Sequence, residues 1–300
     1  MLPVPLSPAL SSEDVNTPTP AENLEGKNAL ITGGASGIGL AIGTVFAEKG
    51  YISPRNSHYG RLLTHLLEYR AYVTLVDYNE EGGSQHAKDL QARGLNVQFV
   101  QADTRSWQSQ VSAFKAAIRF HPAQTLDTVV AGAGNFSETF ITRSEQGLRS
   151  LADTPSEPAT VAWETNAIGT FFTAKLAQLY FELPPPSSTS PVSASTEPKS
   201  LILIASLAAY VDIPFMAAYT SSKYGVRGLF RSIRPVFAGR GHRVNLMAPW
   251  AIPTPMTAEW IPMFRTVGAA EGSMGQAVAA ALRFAADPGV NGESSPFAAL

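Results

Sequence analysis

The chain has 300 residues, 45% of them hydrophobic and 15% charged, which supplies a core for one large or two small α/β domains and argues against global disorder. A formal net charge of −2 speaks against a nucleic-acid or anionic-membrane surface. Cysteine is absent, excluding disulfides, thiolate chemistry and Cys-ligated zinc, and the five His form no metal-ligand spacing, so no metal is expected.

Residues 1–26, rich in Pro, Ser, Thr and acids, read as a tail without a core of its own. The start is broken by Pro and lacks a basic region, and no apolar run approaches the ~20 residues of a membrane span. A cytoplasmic location is expected. Asn28–Thr32 reads as a short strand entering a Gly-rich turn, followed by a helix over Leu40–Lys49. Tyr72–Asp77 is a second strand, 84–93 a helix, Val97–Gln101 a third strand, and 106–120 a helix. Thr128–Ala131 is a fourth strand, about 160–181 a long helix, and 201–205 a fifth strand. A helix over 218–238, a strand at Arg243–Met247 and a helix at Gln276–Ala286 complete the series. Strands alternating with helices imply right-handed crossovers, hence an α/β, Rossmann-like doubly wound domain over 27–300. Its parallel sheet of about seven strands would be covered on both faces. Leu183–Ser200, with Pro-Pro-Pro and many Ser and Thr, reads as a mobile surface loop.

Thr32-Gly33-Gly34-Ala35-Ser36-Gly37-Ile38-Gly39 joins the first strand to the first helix. Gly33 permits a tight turn, Gly37 lets backbone approach a pyrophosphate, and Gly39 lets helix and sheet close together. The helix N-terminus offers free N–H groups to phosphates. Such a turn alone is a weak signal; the strand-turn-helix context strengthens it. Asp77, ending the second strand, can accept from both ribose hydroxyls of an adenosine and would repel a 2′-phosphate. No Lys or Arg follows it directly, which favours NAD over NADP. Asp103 and Thr104, after the third strand, can meet an adenine edge, although an Asp there is also an ordinary turn residue.

Tyr219 and Lys223 are four apart and share one helix face, and Ser206 follows the apolar run 201–205. An ammonium favours the phenolate of a neighbouring Tyr. A hydroxyl at the carboxyl end of a parallel strand sits where ligands bind in open α/β sheets. Taken alone, the Tyr-x3-Lys pair is equally compatible with a solvated helix.

Together these residues resemble the short-chain dehydrogenase/reductase family, over most of 27–300. The resemblance rests on Thr-Gly-x3-Gly-x-Gly at 32–39, Asp77, Asp103, Asn166, Ser206, Tyr219-x3-Lys223 and Pro249-x4-Thr254. It implies that Tyr219 is the general acid/base, that Lys223 lowers its pKa and holds the nicotinamide ribose, and that Ser206 polarises the substrate oxygen. It also implies that Asn166 interrupts its helix and holds a relay water. Ser36, Ile38, Gly132, Pro249, Ile252 and Thr254 would line the cofactor, the last two near the carboxamide. The implied reaction interconverts a secondary alcohol and a ketone, and the segments around Tyr219 and Val244–Trp250 are similar to those of fungal members. The implied assembly is a homodimer or homotetramer through the two long helices. Trp260, Ile261, Met263 and Phe264 suggest a lid for an apolar, aromatic or polycyclic substrate, and equally suit core or dimer contacts.

Three departures stand out. Ala131-Gly132 replaces the family's Asn-Asn, Trp250 replaces the Gly after Pro249, and the end at Leu300 leaves little room for a final strand. In addition, 51–70 separates Gly39 from Asp77 by 38 residues instead of the 18 left without it, against the roughly 20 expected of such sites. Two readings stay open: a surface insertion, or a retained intron translated in frame. Gly50-Tyr51-Ile52 can be encoded GG|GTATAT and Tyr69-Arg70 TACAG|G. A non-catalytic dinucleotide-binding regulator and an inactive mis-spliced product are the alternatives to an enzyme.

Overall fold

The computed structural model describes residues 21–49, 71–137, 140, 147–184, 186, 198–266, 270–292 and 294–297. The 51–70 insertion and residues 185 and 187–197 of the 183–200 loop lie outside the described residues, as do the side chains of Met263 and Phe264. The 1–26 tail lies outside except 21–26.

Among the described residues, seven strands form one parallel sheet: β1 Asn28–Thr32, β2 Tyr72–Asp77, β3 Asn96–Gln101, β4 Thr128–Ala131, β5 Ser200–Ile204, β6 Arg243–Pro249 and β7 Ser294–Phe297. Their order is β3-β2-β1-β4-β5-β6-β7. The helices are α1 Gly37–Lys49, α2 Glu80–Ala92, α3 Trp107–Phe120, α5 Ala217–Ala238, α6 Ile261–Thr266 and α7 Met274–Ala286. Helix α4 has three parts: Val161–Trp163, a π-helical turn at Glu164–Gly169, and Thr170–Phe181.

Buried parallel strands read as continuous apolar runs because both faces are covered. Every residue of β1, β4, β5 and β6 is buried. Successive side chains alternate between two cores. Leu30, Leu201 and Leu203 join Phe114, Leu176 and Phe230 beneath α3, α4 and α5. Ile31, Ile202 and Ile204 join Phe46, Leu90 and Phe284 beneath α1, α2 and α7.

Strand β7 pairs with β6 over four residues, from Leu246↔Ser294 to Pro249↔Phe297, so a final strand is present. Arg243 secures the same edge: its guanidinium donates to the carbonyls of Phe284, Ala285 and Val290 at 2.5, 2.8 and 3.1 Å. A cation there also complements the carboxyl end of α7.

Strand order reverses between β1 and β4, which opens a crevice at their carboxyl ends. Thr32 ties the two loops together: its Oγ1 accepts from the N–H groups of Gly132 at 3.1 Å and Ala133 at 3.2 Å. A Cβ on Gly132 would lie 2.8 Å from the Thr32 carbonyl oxygen, and one on Gly33, at φ +74°, 2.7 Å from the Gly132 carbonyl oxygen. The missing Asn side chains at 131–132 are therefore replaced by direct backbone packing.

Candidate active site

A continuous cleft of about 560 Å³ runs along the carboxyl ends of the strands. Gly33, Ser36, Gly37, Ile38, Gly39, Asp77, Asp103, Thr104, Gly132, Ser206, Tyr219, Lys223, Pro249, Ile252 and Thr254 all line it. Asn166 does not.

At the β2–β3 end, Asp77 ties its strand to the Gly-rich turn. One carboxylate oxygen accepts from Ala35 N at 3.1 Å, the other from Asn79 N at 3.1 Å. Asp103 is chelated by Arg105, whose Nε and Nη2 donate to its carboxylate at 3.0 and 2.7 Å. That hydrogen bonding holds the Asp103 carboxyl below the usual carboxylate range. Arg105, which the sequence reading did not single out, lines the cleft and lies 3.7 Å from Glu164. Two residues of spacing in a tight turn were the available signal.

In the middle, α1 begins at Gly37 with its N–H groups facing the cleft. Thr254 closes over it: a Cβ on Gly37 would be 3.3 Å from Thr254 Cγ2. Thr257 holds that segment in place, accepting from Thr254 N at 3.0 Å and donating to the Ile252 carbonyl at 2.6 Å. These features form a cradle of the right chemistry for a dinucleotide: a helix N-terminus without competing side chains, a carboxylate at one end and a proton-transfer cluster at the other.

At the far end, Ser206 ends β5 and Tyr219 and Lys223 share one face of α5. Ser206 and Tyr219 both line the cleft, and Ser206 acts on the phenol to lower its pKa. Ser206 Oγ accepts from Ala208 N at 3.2 Å and makes a long 3.4 Å bond to the Pro249 carbonyl. Lys223 is buried, donates from Nζ to the Ile204 carbonyl at 3.1 Å, and sits 5.6 Å from the centre of the Tyr219 ring. Burial pushes its ammonium from 10.5 down to about 8. The sequence expectation that Lys223 acidifies Tyr219 is not met by the protein alone. Burial of the phenol outweighs everything else and pushes it above its usual value, opposed only by Ser206.

Asn166 belongs to α4. It lies in the π-helical turn, so the helix is interrupted there. Its side chain, fully buried, faces the chain rather than the cleft. Oδ1 accepts from Asn135 N at 2.7 Å, while Nδ2 donates to the Asn135 carbonyl and to Ser222 Oγ, each at 2.9 Å. The side-chain amide thus clamps the loop after β4 against α4 and α5. Asn135 and Ser222 were missed because these contacts span 31 and 56 residues. Arg227, also missed, donates to the Ala209 carbonyl at 3.0 Å and stacks 3.9 Å over the Tyr210 ring, bracing the turn after Ser206.

A doubly wound sheet with a phosphate cradle and a Ser-Tyr-Lys cluster at its carboxyl edge defines a class of dinucleotide-dependent oxidoreductases. The chain belongs to the short-chain dehydrogenase family: residues 61–263 match the family described as short chain dehydrogenase. It is 38% identical over 253 residues to a 5′-hydroxyaverantin dehydrogenase of Dothistroma septosporum, covering 82% of this chain and 74% of that protein. A second 5′-hydroxyaverantin dehydrogenase, from Emericella nidulans, is 36% identical over 250 residues, 79% of this chain and 70% of its own. An NADP-dependent dehydrogenase of Cochliobolus lunatus is 31% identical over 281 residues, 90% of this chain and 87% of its own. The protein is thus a short-chain alcohol dehydrogenase/reductase that uses NAD or NADP and acts on a small molecule. Among the described residues, no helix is long and apolar enough to cross a membrane.

Proposed function

We propose that the protein interconverts a secondary alcohol and a ketone on a small apolar molecule, with NAD as the preferred cofactor. The observation that carries this reading is the Ser206-Tyr219-Lys223 cluster at one end of a cleft whose other end holds Asp77. When bound, the oxidised dinucleotide supplies the hydride acceptor and a positive ring near the phenol. In the oxidation direction the carbinol carbon loses a hydride and its hydroxyl loses a proton to Tyr219, leaving a ketone. Tyr219 needs a lowered pKa for this step, and burial alone works in the opposite direction. Lys223, charged below about pH 8, favours the phenolate. Only one of its three N–H donors is spent on Ile204, so the others can reach a ribose. Ser206 can turn from its long bond with Pro249 to donate to the substrate oxygen. Asn166 acts at one remove, by fixing Asn135 and the loop that borders the substrate.

For the cofactor, the Asp77 carboxylate disfavours a 2′-phosphate, and among the described residues the cation lining that end of the cleft, Arg105, is chelated by Asp103. Helix α4 exposes Ile168, Phe171 and Leu179 along one stripe, which supports a homodimer or homotetramer through the long helices.

The test is reduced-cofactor formation at neutral pH with a panel of secondary alcohols. 5′-Hydroxyaverantin, the compound in the names of two relatives, is the first to try. Turnover with NAD above NADP is expected. Equal use of both would remove the cofactor assignment, and no turnover with any alcohol or ketone would remove the reaction.

A further inference from the structure

The substrate half of the cleft is walled by aromatic rings from three separate parts of the chain. Phe136 follows β4, Tyr219 stands in the first turn of α5, and Trp260 immediately precedes α6. The Phe136 and Tyr219 ring centres are 4.7 Å apart with planes inclined by 52°, and those of Phe136 and Trp260 are 5.4 Å apart at 63°. Both distances fall where aromatic rings attract one another, so Phe136 links the catalytic phenol to the segment that covers the cleft. Met216 and Met256 line the same half, and thioether sulfur packs well against ring edges.

The charges lining the cleft are distributed unevenly. Asp77, Asp103 and Arg105 lie at the β2–β3 end. The substrate end has Lys223, whose Nζ donates to the Ile204 carbonyl and lies 5.6 Å from the centre of the Tyr219 ring. Among the described residues, a carboxylate or phosphate on the substrate would be buried against Phe136, Trp260, Met216 and Met256, with Lys223 the one cation lining that end and already engaged with Ile204, an unfavourable burial.

We propose that this chain of rings sets specificity, and that the substrate is an uncharged, planar aromatic alcohol or ketone. Its ring lies against Phe136 and Trp260 while its carbinol carbon faces Ser206 and Tyr219. The inference rests on the alcohol–ketone reading above and narrows it. Two ring–ring contacts correspond to a preference of about tenfold to hundredfold for an aryl over a saturated ring of the same size.

The experiment compares kcat/KM for naphthyl methyl carbinol, the corresponding decalinyl carbinol and a carboxylated naphthyl carbinol. Wild type, Phe136→Leu and Trp260→Leu are assayed, each checked by thermal melting. Leu keeps the walls apolar and removes the ring faces. The wild type is expected to favour the aryl alcohol over the saturated one by about tenfold or more and to reject the carboxylated one. Each substitution should shrink the aryl preference mainly through KM, with the saturated alcohol losing less. Should Phe136→Leu fail to fold, Trp260→Leu, on a partly exposed segment, decides the matter alone. A wild type that turns over all three alcohols equally, or variants that keep the full aryl preference, overturns the ring assignment while leaving the reaction class standing. Absence of turnover with every alcohol and ketone overturns both.

Discussion

Lys223→Met removes the buried ammonium and leaves an unbranched apolar side chain of similar length. Lys223 is 5% exposed, and burial lowers its pKa from 10.5 to about 8. At ~1.4 kcal/mol for each pKa unit, keeping that charge buried at pH 7 costs on the order of 3 kcal/mol relative to the unfolded chain. The substitution also strips the Ile204 carbonyl of its 3.1 Å hydrogen bond. That loss is worth about 1 kcal/mol. The variant should therefore be more stable at pH 7 by about 2 kcal/mol, a rise in Tm of roughly 3 °C for a chain of 300 residues. Its pH dependence has a definite sign. The folded pKa lies below the unfolded one, so between about 8 and 10.5 the unfolded chain keeps a proton that the folded chain has released. Wild-type stability climbs with pH across that window. Lys223→Met lacks this climb, and its advantage fades toward the upper end. Urea midpoints of both proteins at neutral and alkaline pH measure the difference, with other titrating groups common to both. Turnover of the variant should fall by roughly 10²–10⁴-fold, the contribution of a positioned proton-transfer system. A variant less stable than wild type at pH 7, or one that keeps the same alkaline climb, refutes the reasoning.

Gly132→Ala would force a Cβ to 2.8 Å from the Thr32 carbonyl oxygen, parting the β1 and β4 loops. A loss of about 1–3 kcal/mol is expected, with weaker dinucleotide binding, read by melting and fluorescence titration. Asp77→Ala removes both the charge and the 3.1 Å bond from Ala35 N. The ratio of kcat/KM for NAD to that for NADP should move toward parity; an unchanged ratio would take Asp77 out of cofactor choice. Deleting 51–70 would leave two residues, Gly50 and Ala71, between α1 and β2, an ordinary connection length. Shortening this connection from 22 residues to two should stabilise the protein by roughly 2 kcal/mol in closure entropy. A deletion variant that no longer binds dinucleotide would show the stretch to be required, and a mature message that retains it would exclude the intron reading.

The parallel sheet was legible because its central strands, such as Leu201–Ile204 in β5, are largely apolar runs. β1, β2 and β4 fall at the expected residues, and β3, β5 and β6 differ at their ends by one or two. Helix starts were harder to read. Helix α2 begins at Glu80, not 84, because Gly82 and Gly83 look like breakers in sequence. In the structure Asn79 caps the helix, accepting from Gly82 N at 3.2 Å, and a Cβ on Gly83 would collide with the Phe99 ring. Helix α7 likewise starts at Met274, behind the cap of Ser273 and ahead of Gly275. Apart from Asn166, the residues named from motifs line the cleft because most lie at or just beyond strand ends or near helix starts, positions that strand order fixes. Sequence could not reveal contacts made by folding, such as Asn166 on Asn135 or Phe136 on Tyr219. Nor could it weigh burial against charge, and the pKa of Tyr219 depends on that balance.

The central claim is that the Tyr219 hydroxyl moves the substrate proton. Its most direct test is Tyr219→Phe, assayed in parallel for steady-state turnover and for NAD binding by calorimetry. Removal of the one oxygen should lower kcat/KM by at least about 10³-fold, while the dinucleotide Kd changes by less than about tenfold, the equivalent of ~1.4 kcal/mol. Turnover at the wild-type level, with the Phe ring in place, would contradict the account.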